Sequence, residues 1–187
     1  MDQAKLNQLS DEAVVDLVCR GNQEAYATIV KRYQQPLLRY ARYLLSNPDD
    51  AMDAVQEGFI AAYKYLNSFN PSMKFSSWLY RIVHNQAMNT LRKRKNVVST
   101  DELPNIVATK INHEEDQERR ELKRQLDNHL QELPTKYRVV LTLYYIEEKS
   151  YQEISDILRM PINTIATHLS RAKSQLKKIY QMNEGAL

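Results

Sequence analysis

Between Ser150 and Tyr180 the chain reads SYQEISDILRMPINTIATHLSRAKSQLKKIY, and the architecture can be worked out from these residues outward. Ser150 and Glu153 have the spacing of a capping box, in which a hydroxyl and a carboxylate each satisfy a free amide of the first helical turn. A helix therefore begins at Ser150, turns Tyr151, Ile154 and Leu158 inward, and ends near Arg159. After the tight Met160-Pro161 connection a second helix buries Ile165, Leu169, Ala172, Leu176 and Ile179, which recur at helical spacing. That register leaves Asn163, Thr164, Thr167, His168 and Arg171 facing outward near its start. Two short helices joined in this way, the second polar at its amino end, make a helix-turn-helix able to enter a major groove. From Pro161 to Tyr180 the cations Arg171, Lys173, Lys177 and Lys178 occur without a single acid, as a DNA phosphate surface requires. An ordinary helical hairpin, with cations placed to complement the helix dipole, accounts for the charge alone. It does not account for the agreement of cap, pattern and charge. Asn163, Thr164, Thr167, His168 and Arg171 are candidates for base edges or nearby phosphates, and Lys173, Lys177 and Lys178 for phosphate or solvent.

The remainder of the 187 residues is also helical in pattern. With 3 Gly and 6 Pro there is little material for turns or for Gly-rich phosphate loops. Pro36, Pro48, Pro71, Pro104, Pro134 and Pro161 divide the chain into segments of helical periodicity. Asp11 to Arg20 reads as a short helix stopped by Gly21, and Asn22 is placed to cap the next. That helix buries Tyr26, Ile29, Val30, Tyr33, Leu37, Tyr40, Ala41 and Leu44. From Asp49 to Leu66 the apolar stripe is Met52, Val55, Phe59, Tyr63 and Leu66. A loop from Asn67 to Lys74 leads into a helix from Phe75 to about Lys95. Residues 96–112 carry no sustained period and contain Pro104, so they read as a linker. A charged helix from His113 to Glu132, with Leu122, Leu126 and Leu130 on one side, and a more apolar one from Lys136 to Glu147 follow. The expected fold is all-α: two small helical domains, residues 1–95 and 113–187, joined by a flexible linker, residues 96–112.

The single Cys, Cys19, excludes an intrachain disulfide, and with 4 scattered His a Cys/His zinc site is not expected. No apolar run approaches the ~20 residues needed to cross a bilayer, and the amino terminus has no signal-peptide core. A cytoplasmic protein is expected. The net charge of +3 is mild, but its distribution is not. No Asp or Glu occurs from Gly58 to Thr100, whereas Lys64, Lys74, Arg81, Arg92, Lys93, Arg94 and Lys95 all do. All 3 Phe (Phe59, Phe69, Phe75) and the 1 Trp (Trp78) share that stretch. Cations interleaved with aromatics suit a polyanion whose bases can stack. Just upstream, Asp53, Gln56 and Glu57 stand at i, i+3 and i+4 and form a polar ridge on one helix face. Taken alone, acids near this helix start would simply complement its dipole.

The segments DDAMDAVQEGFIAAYKYLNSF (Asp49 to Phe69) and KFSSWLYRIVHNQAMNTLRKRK (Lys74 to Lys95) resemble the second conserved region of bacterial sigma factors of the sigma-70 family. ELPTKYRVVLTLYYIEEKSYQEISDILRMPINTIATHLSRAKSQLKKIY (Glu132 to Tyr180) resembles the fourth. The short linker, with neither a long acidic amino-terminal extension nor a helical third region, is similar to the extracytoplasmic-function, or group 4, factors. The resemblance implies a transcription initiation factor without catalytic residues, metal or cofactor. Its partners would be core RNA polymerase, through the beta-prime clamp helices and the beta flap, promoter DNA, and an anti-sigma protein. Asp53, Gln56 and Glu57 would bind the clamp helices. Asn70, Ser72, Met73, Lys74, Phe75 and Ser76 would line a pocket for an extruded base of the minus-10 element, and His84, Asn85, Met88, Asn89, Arg92 and Lys93 would extend that surface upstream. Asn163, Thr164, Thr167, His168, Arg171 and Lys173 would meet minus-35 DNA. Many relatives read P-x-G-T-V-K-S-R-L where this chain reads Pro161-Ile162-Asn163-Thr164-Ile165-Ala166-Thr167-His168-Leu169, without the Gly, the Lys or the Arg. A stand-alone helix-turn-helix regulator would explain Ser150 to Tyr180 but would leave the ridge and the aromatic loop without a task.

Overall fold

The computed structural model describes residues 3–97 and 114–184, and all regular structure among them is helical. Nine α-helices follow one another there: α1 Gln3–Gln8, α2 Asp11–Cys19, α3 Tyr26–Leu44, α4 Pro48–Lys64, α5 Phe75–Val97, α6 Glu114–Glu132, α7 Thr135–Leu141, α8 Tyr151–Leu158 and α9 Ile162–Glu184. The expected linker contributes Asn96 and Val97 to the end of α5, and residues 98–112 lie outside the described residues.

Local chemistry sets the helix starts. Ser10 Oγ accepts from Ala13 N–H at 3.2 Å to open α2. Asn47 Oδ1 accepts from the amides of Asp49 at 2.7 Å and Asp50 at 3.2 Å, with Pro48 at the first turn of α4, where its missing N–H costs nothing. The capping box at Ser150 and Glu153 is complete. Asn22 makes no side-chain cap; it leads into a 3-10 turn, Gln23–Ala25, ahead of α3.

Helices α3, α4 and α5 pack on one another, and α1 and α2 are tied to α3. Arg32 makes that tie: Nη1 donates to Asp11 Oδ1 at 2.6 Å, and Nη2 to the carbonyls of Leu6, Asn7 and Leu9 at 3.0, 3.1 and 2.7 Å. The Tyr33 hydroxyl donates to the second oxygen of Asp11. The Tyr26 hydroxyl donates to the Phe59 carbonyl at 2.7 Å and secures the start of α3 to α4.

The buried face of α4 differs from the expected stripe. Ala51, Ala54, Val55, Gly58, Phe59 and Ala62 are buried, whereas Met52 and Tyr63 are exposed. Small residues line this face because α5 comes very close. A Cβ built at Gly58 would stand 2.5 Å from Val83 Cγ2, so only glycine lets the two helices reach this separation. Gly58→Ala is accordingly expected to destabilise the protein by about 1–3 kcal/mol through overpacking, and adding Val83→Ala should recover part of the loss in a urea titration.

In the second half α7, α8 and α9 pack together around Tyr137, Val140, Leu143, Ile154, Ile157, Ile165, Leu169 and Ala172. The expected single helix from Lys136 to Glu147 is instead α7 followed by a π-helical turn, Thr142–Ile146. Its wider ring closes with Glu147 N–H on the Thr142 carbonyl at 3.0 Å. In α8 the inward residues are Ile154 and Ile157, not Tyr151, which is exposed. Arg159 ends α8 in the left-handed conformation, φ 53°. In α6 Leu130 is buried but Leu126 is exposed, and the Leu122 side chain lies outside the described residues.

The two halves also touch. α8 packs on α5, and α3 meets α6, α7 and the π-helical turn.

Candidate protein and nucleic-acid interfaces

Burial of the small-residue face turns the opposite face of α4 to solvent, and Asp53, Gln56 and Glu57 are all exposed on it. The ridge is not purely polar: Met52 is 46% and Ile60 70% exposed. Periodicity alone misassigned Met52 to the core, because a stripe drawn through the larger apolar residues misses a helix whose inner face is alanine and glycine.

After α4 a 3-10 turn, Leu66–Ser68, leads to the loop before α5. Asn70 Oδ1 accepts from Ser72 N–H and the Asn70 carbonyl from Met73 N–H, both at 3.0 Å, which fixes the loop as an Asx-type turn. Asn70, Ser72 and Lys74 are exposed, and Met73 and Ser76 half-buried. Phe75 does not line this surface. It is 0% exposed and sits in an aromatic group, with ring centroids 5.4 Å from Phe69, 5.7 Å from Trp78 and 6.1 Å from Tyr33. Trp78 is buried there as well. Phe75 and Trp78 form the floor under the loop and are not available for stacking on a base, with the half-buried Phe69 at its edge. The first amide of α5, Phe75 N–H, donates to Glu12 Oε1 at 3.2 Å, so an acid of α2 holds the start of the helix.

Along α5, Asn85, Asn89, Arg92 and Lys93 are exposed and Met88 is half-buried. Arg92 Nη1 donates to Asn89 Oδ1 at 3.1 Å. Arg94, in the same basic run, is paired with Asp50 at 2.5 Å. Glu57 of the α4 ridge, with Gln86, Asn89, Thr90, Arg92 and Lys93, lines a cleft of about 260 Å³. Gln86 and Thr90 thus join the surface, and two sites that look separate in sequence share a border.

His84 faces the core, where its Nδ1 is 2.8 Å from the Tyr40 hydroxyl; it is not part of the outward α5 surface. Burial, reinforced by the nearby Arg92 charge, lowers its pKa from 6.5 to about 4. The unfolded chain therefore binds a proton below pH 6.5 that the folded chain refuses until about pH 4. Stability present above pH 6.5 should fall across that window, by on the order of 3 kcal/mol. His84→Gln should flatten the corresponding segment of a stability-versus-pH curve.

On α9, Asn163, Thr167, Arg171 and Lys173 are exposed and Thr164 is half-buried. The Thr167 hydroxyl donates to the Asn163 carbonyl at 2.8 Å. His168 turns edge-on to Tyr137, ring centroids 5.8 Å apart, and its Nδ1 is buried, so it is not presented with the other five. Lys173 Nζ lies 5.5 Å from the ring centroid of Tyr145, an exposed aromatic that the helical pattern had placed in an apolar helix. Among the described residues no group of His, Cys, Asp and Glu is arranged to hold a metal ion, and no helix is long and apolar enough to cross a membrane.

A helical unit carrying a polar ridge beside a cationic helix, together with a capped helix-turn-helix, is the combination found in sigma factors. Residues 29–97 match the family model Sigma-70 region 2, and residues 123–176 match Sigma-70, region 4. The ECF RNA polymerase sigma factor SigW of Bacillus subtilis is 36% identical over 171 residues, covering 86% of this chain and 91% of that protein. The ECF RNA polymerase sigma-E factor of Haemophilus influenzae is 31% identical, covering 93% and 97%. Among solved structures, CnrH in complex with the cytosolic domain of CnrY aligns with a TM-score of 0.71 at 26% identity, over 92% of this chain and 97% of that one. The chain belongs to the extracytoplasmic-function sigma factors of the sigma-70 family.

Proposed function

We propose that the protein acts in the cytoplasm, by binding and not by catalysis, to direct core RNA polymerase to promoters. Residues 1–95 dock on the beta-prime clamp helices through Asp53, Gln56 and Glu57, with Met52 and Ile60 supplying apolar contact. The same unit holds the melted minus-10 strand with Asn70, Ser72, Met73, Lys74 and Ser76, and the adjoining DNA with Asn85, Asn89, Arg92 and Lys93. Residues 113–187 read minus-35 DNA through Asn163, Thr164, Thr167, Arg171 and Lys173, and meet the beta flap. Residues 96–112 join the two units. An anti-sigma protein is a further partner, in keeping with the complex that CnrH forms with CnrY.

The cleft bordered by both Glu57 and the Arg92/Lys93 pair carries this reading, because it sets the polymerase-docking ridge directly beside the DNA-holding cations. Two modest contacts fixed on one polymerase gain from effective concentration. Run-off transcription with purified core polymerase on a promoter library tests the proposal. Selective transcripts should appear only when core and this protein are combined; equal promoter selection by the free protein would contradict it. The free chain should bind DNA weakly. With about five phosphate contacts, its affinity should fall by roughly two to three orders of magnitude between 50 and 200 mM salt.

A further inference from the structure

Helices α4 and α5 run antiparallel: Gly58 meets Val83 near the middle of the hairpin, and Asp50, in the first turn of α4, meets Arg94, near the end of α5. The start of α5 is firmly held. Phe75, Trp78, Leu79, Tyr80 and Val83 are buried, and Glu12 accepts from the first amide of the helix. Its end is held far less. Ala87 is the last buried residue of α5 among those described; Met88, Thr90 and Leu91 are half-buried, and Asn89, Arg92, Lys93 and Arg94 are exposed. The cations assigned to DNA, Arg92 and Lys93, therefore stand on a stretch of helix that the core grips only through the half-buried Met88 and Leu91.

An ion pair supplies the missing hold. Arg94 Nε lies 2.5 Å from Asp50 Oδ2, between side chains 44% and 22% exposed. That oxygen is itself shielded from water, so the pair is screened less by salt than one between two fully exposed charges. Asp50 belongs to the helix that carries the ridge: Asp50, Asp53 and Glu57 stand at i, i+3 and i+7 and share one side of α4. Glu57 borders the cleft that Arg92 and Lys93 line, whereas Arg94 is turned to Asp50. The acids of α4 thus divide the basic run of α5. Arg92 and Lys93 are left to the cleft and to solvent, and the charge of Arg94 is offset. A cation already paired with a carboxylate adds little to the counterion release that drives sequence-independent DNA binding.

We propose that Asp50 is a positioning residue for promoter DNA: by clasping Arg94 it fixes the basic end of α5 to the polymerase-docking helix, in the register at which Arg92 and Lys93 meet the DNA, and it keeps the Arg94 charge off the phosphates. The proposal rests on the functional reading above. The clasp has two consequences. Docking of α4 on polymerase sets the place of the α5 cations, because the end of α5 follows the start of α4. Binding to DNA at large is also restrained, because a phosphate contact positions a protein without carrying sequence information. Removing the carboxylate therefore gives an unusual combination, tighter binding of the free chain to any DNA and poorer choice of promoter by the holoenzyme. A side chain that merely stabilised the fold would weaken both.

The test uses the full chain and measures its affinity for core polymerase, the promoter selectivity of the reconstituted holoenzyme, and the salt dependence of free-chain binding to a fluorescent duplex of scrambled sequence. Asp50→Ala should leave core affinity within about twofold of wild type and lower selectivity about tenfold, roughly what one correctly read base pair contributes. It should also steepen the slope of log affinity against log salt by about one, as Arg94 reaches a phosphate. Arg94→Gln should lower selectivity as much but leave the slope at its wild-type value, whereas Arg92→Gln should make it shallower by about one. The double variant, Asp50→Ala with Arg94→Gln, should be no less selective than either single variant, since the pair acts as a unit. Should Asp50→Ala unfold, Arg94→Gln, which changes an exposed side chain near the end of α5, decides the matter. An unchanged slope in Asp50→Ala, a shallower slope in Arg94→Gln, or unchanged selectivity in either folded variant would overturn the assignment. So would a loss of core affinity as large as the loss of selectivity, which would make Asp50 a docking residue. A wild-type holoenzyme that yields no promoter-specific transcript would instead overturn the functional reading, while the free-chain slopes would still decide whether Arg94 is withheld from DNA.

Discussion

Reversing both acids of the α4 ridge, Asp53→Lys with Glu57→Lys, is expected to abolish promoter-specific transcription by the reconstituted holoenzyme while leaving the fold intact. Both side chains are exposed on the face of α4 opposite Ala51, Ala54, Gly58 and Ala62. Substitutions at such positions usually change stability by no more than about 0.5 kcal/mol, so the unfolding midpoint should move little. The interface is a different matter. If the acids of the ridge dock the partner as proposed, placing two cations there replaces attraction by repulsion, a loss of about 3 kcal/mol or more, over ~100-fold in affinity. Gel filtration with core polymerase should show the variant eluting free, and run-off product should disappear with it. Transcription within twofold of wild type would remove the ridge from the proposed function. Gln56→Ala, which removes no charge, should have a much smaller effect.

Phe75→Ala should produce the largest loss of stability of any substitution considered. The ring is completely buried between Tyr33, Phe69 and Trp78, and truncating a packed aromatic costs about 3–5 kcal/mol. That is a large share of the ~5–15 kcal/mol that holds an ordinary domain together. Urea or thermal unfolding should therefore report it directly, and Phe75→Leu, which keeps most of the volume, should recover much of the loss. A base-stacking role makes the opposite forecast: an unchanged unfolding midpoint with ~1–3 kcal/mol lost from single-strand binding. The two outcomes separate a floor residue from a reader. Any loss of minus-10 binding in Phe75→Ala should track the unfolded fraction, whereas Lys74→Ala should weaken DNA binding without moving the midpoint.

Much of this protein is legible along the chain because its signals are local. A capping box spans four residues, an Asx turn three, and a helical stripe repeats within one helix; Ser150 with Glu153, Pro48 after Asn47, and Ile165 with Leu169 and Ala172 are all where such rules put them. The acid-free run after Gly58 is likewise a property of composition alone. Errors arose where a side chain's environment is supplied by another element. Met52 and Tyr63 have the spacing of core residues, yet the close approach of α5 at Gly58 buries the alanine face of α4 in their place. Phe75, His84 and His168 have the chemistry of DNA contacts, yet each turns inward, to Trp78 and Phe69, to Tyr40, and to Tyr137.

The sequence by itself determined an all-helical chain, most of its helix starts, the polar ridge at Asp53, Gln56 and Glu57, and the outward face of α9 apart from His168, since each depends on hydrogen bonds and periodicities that close within a few residues. Only the tertiary structure decided which rings are floor and which residues share the Glu57 cleft. It alone placed Glu147 against Arg39 and Tyr80, 108 and 67 positions away. Such pairings carry no local signature. A buried carboxylate selects its partners by distance and desolvation in the folded chain, and neither quantity is written along the sequence.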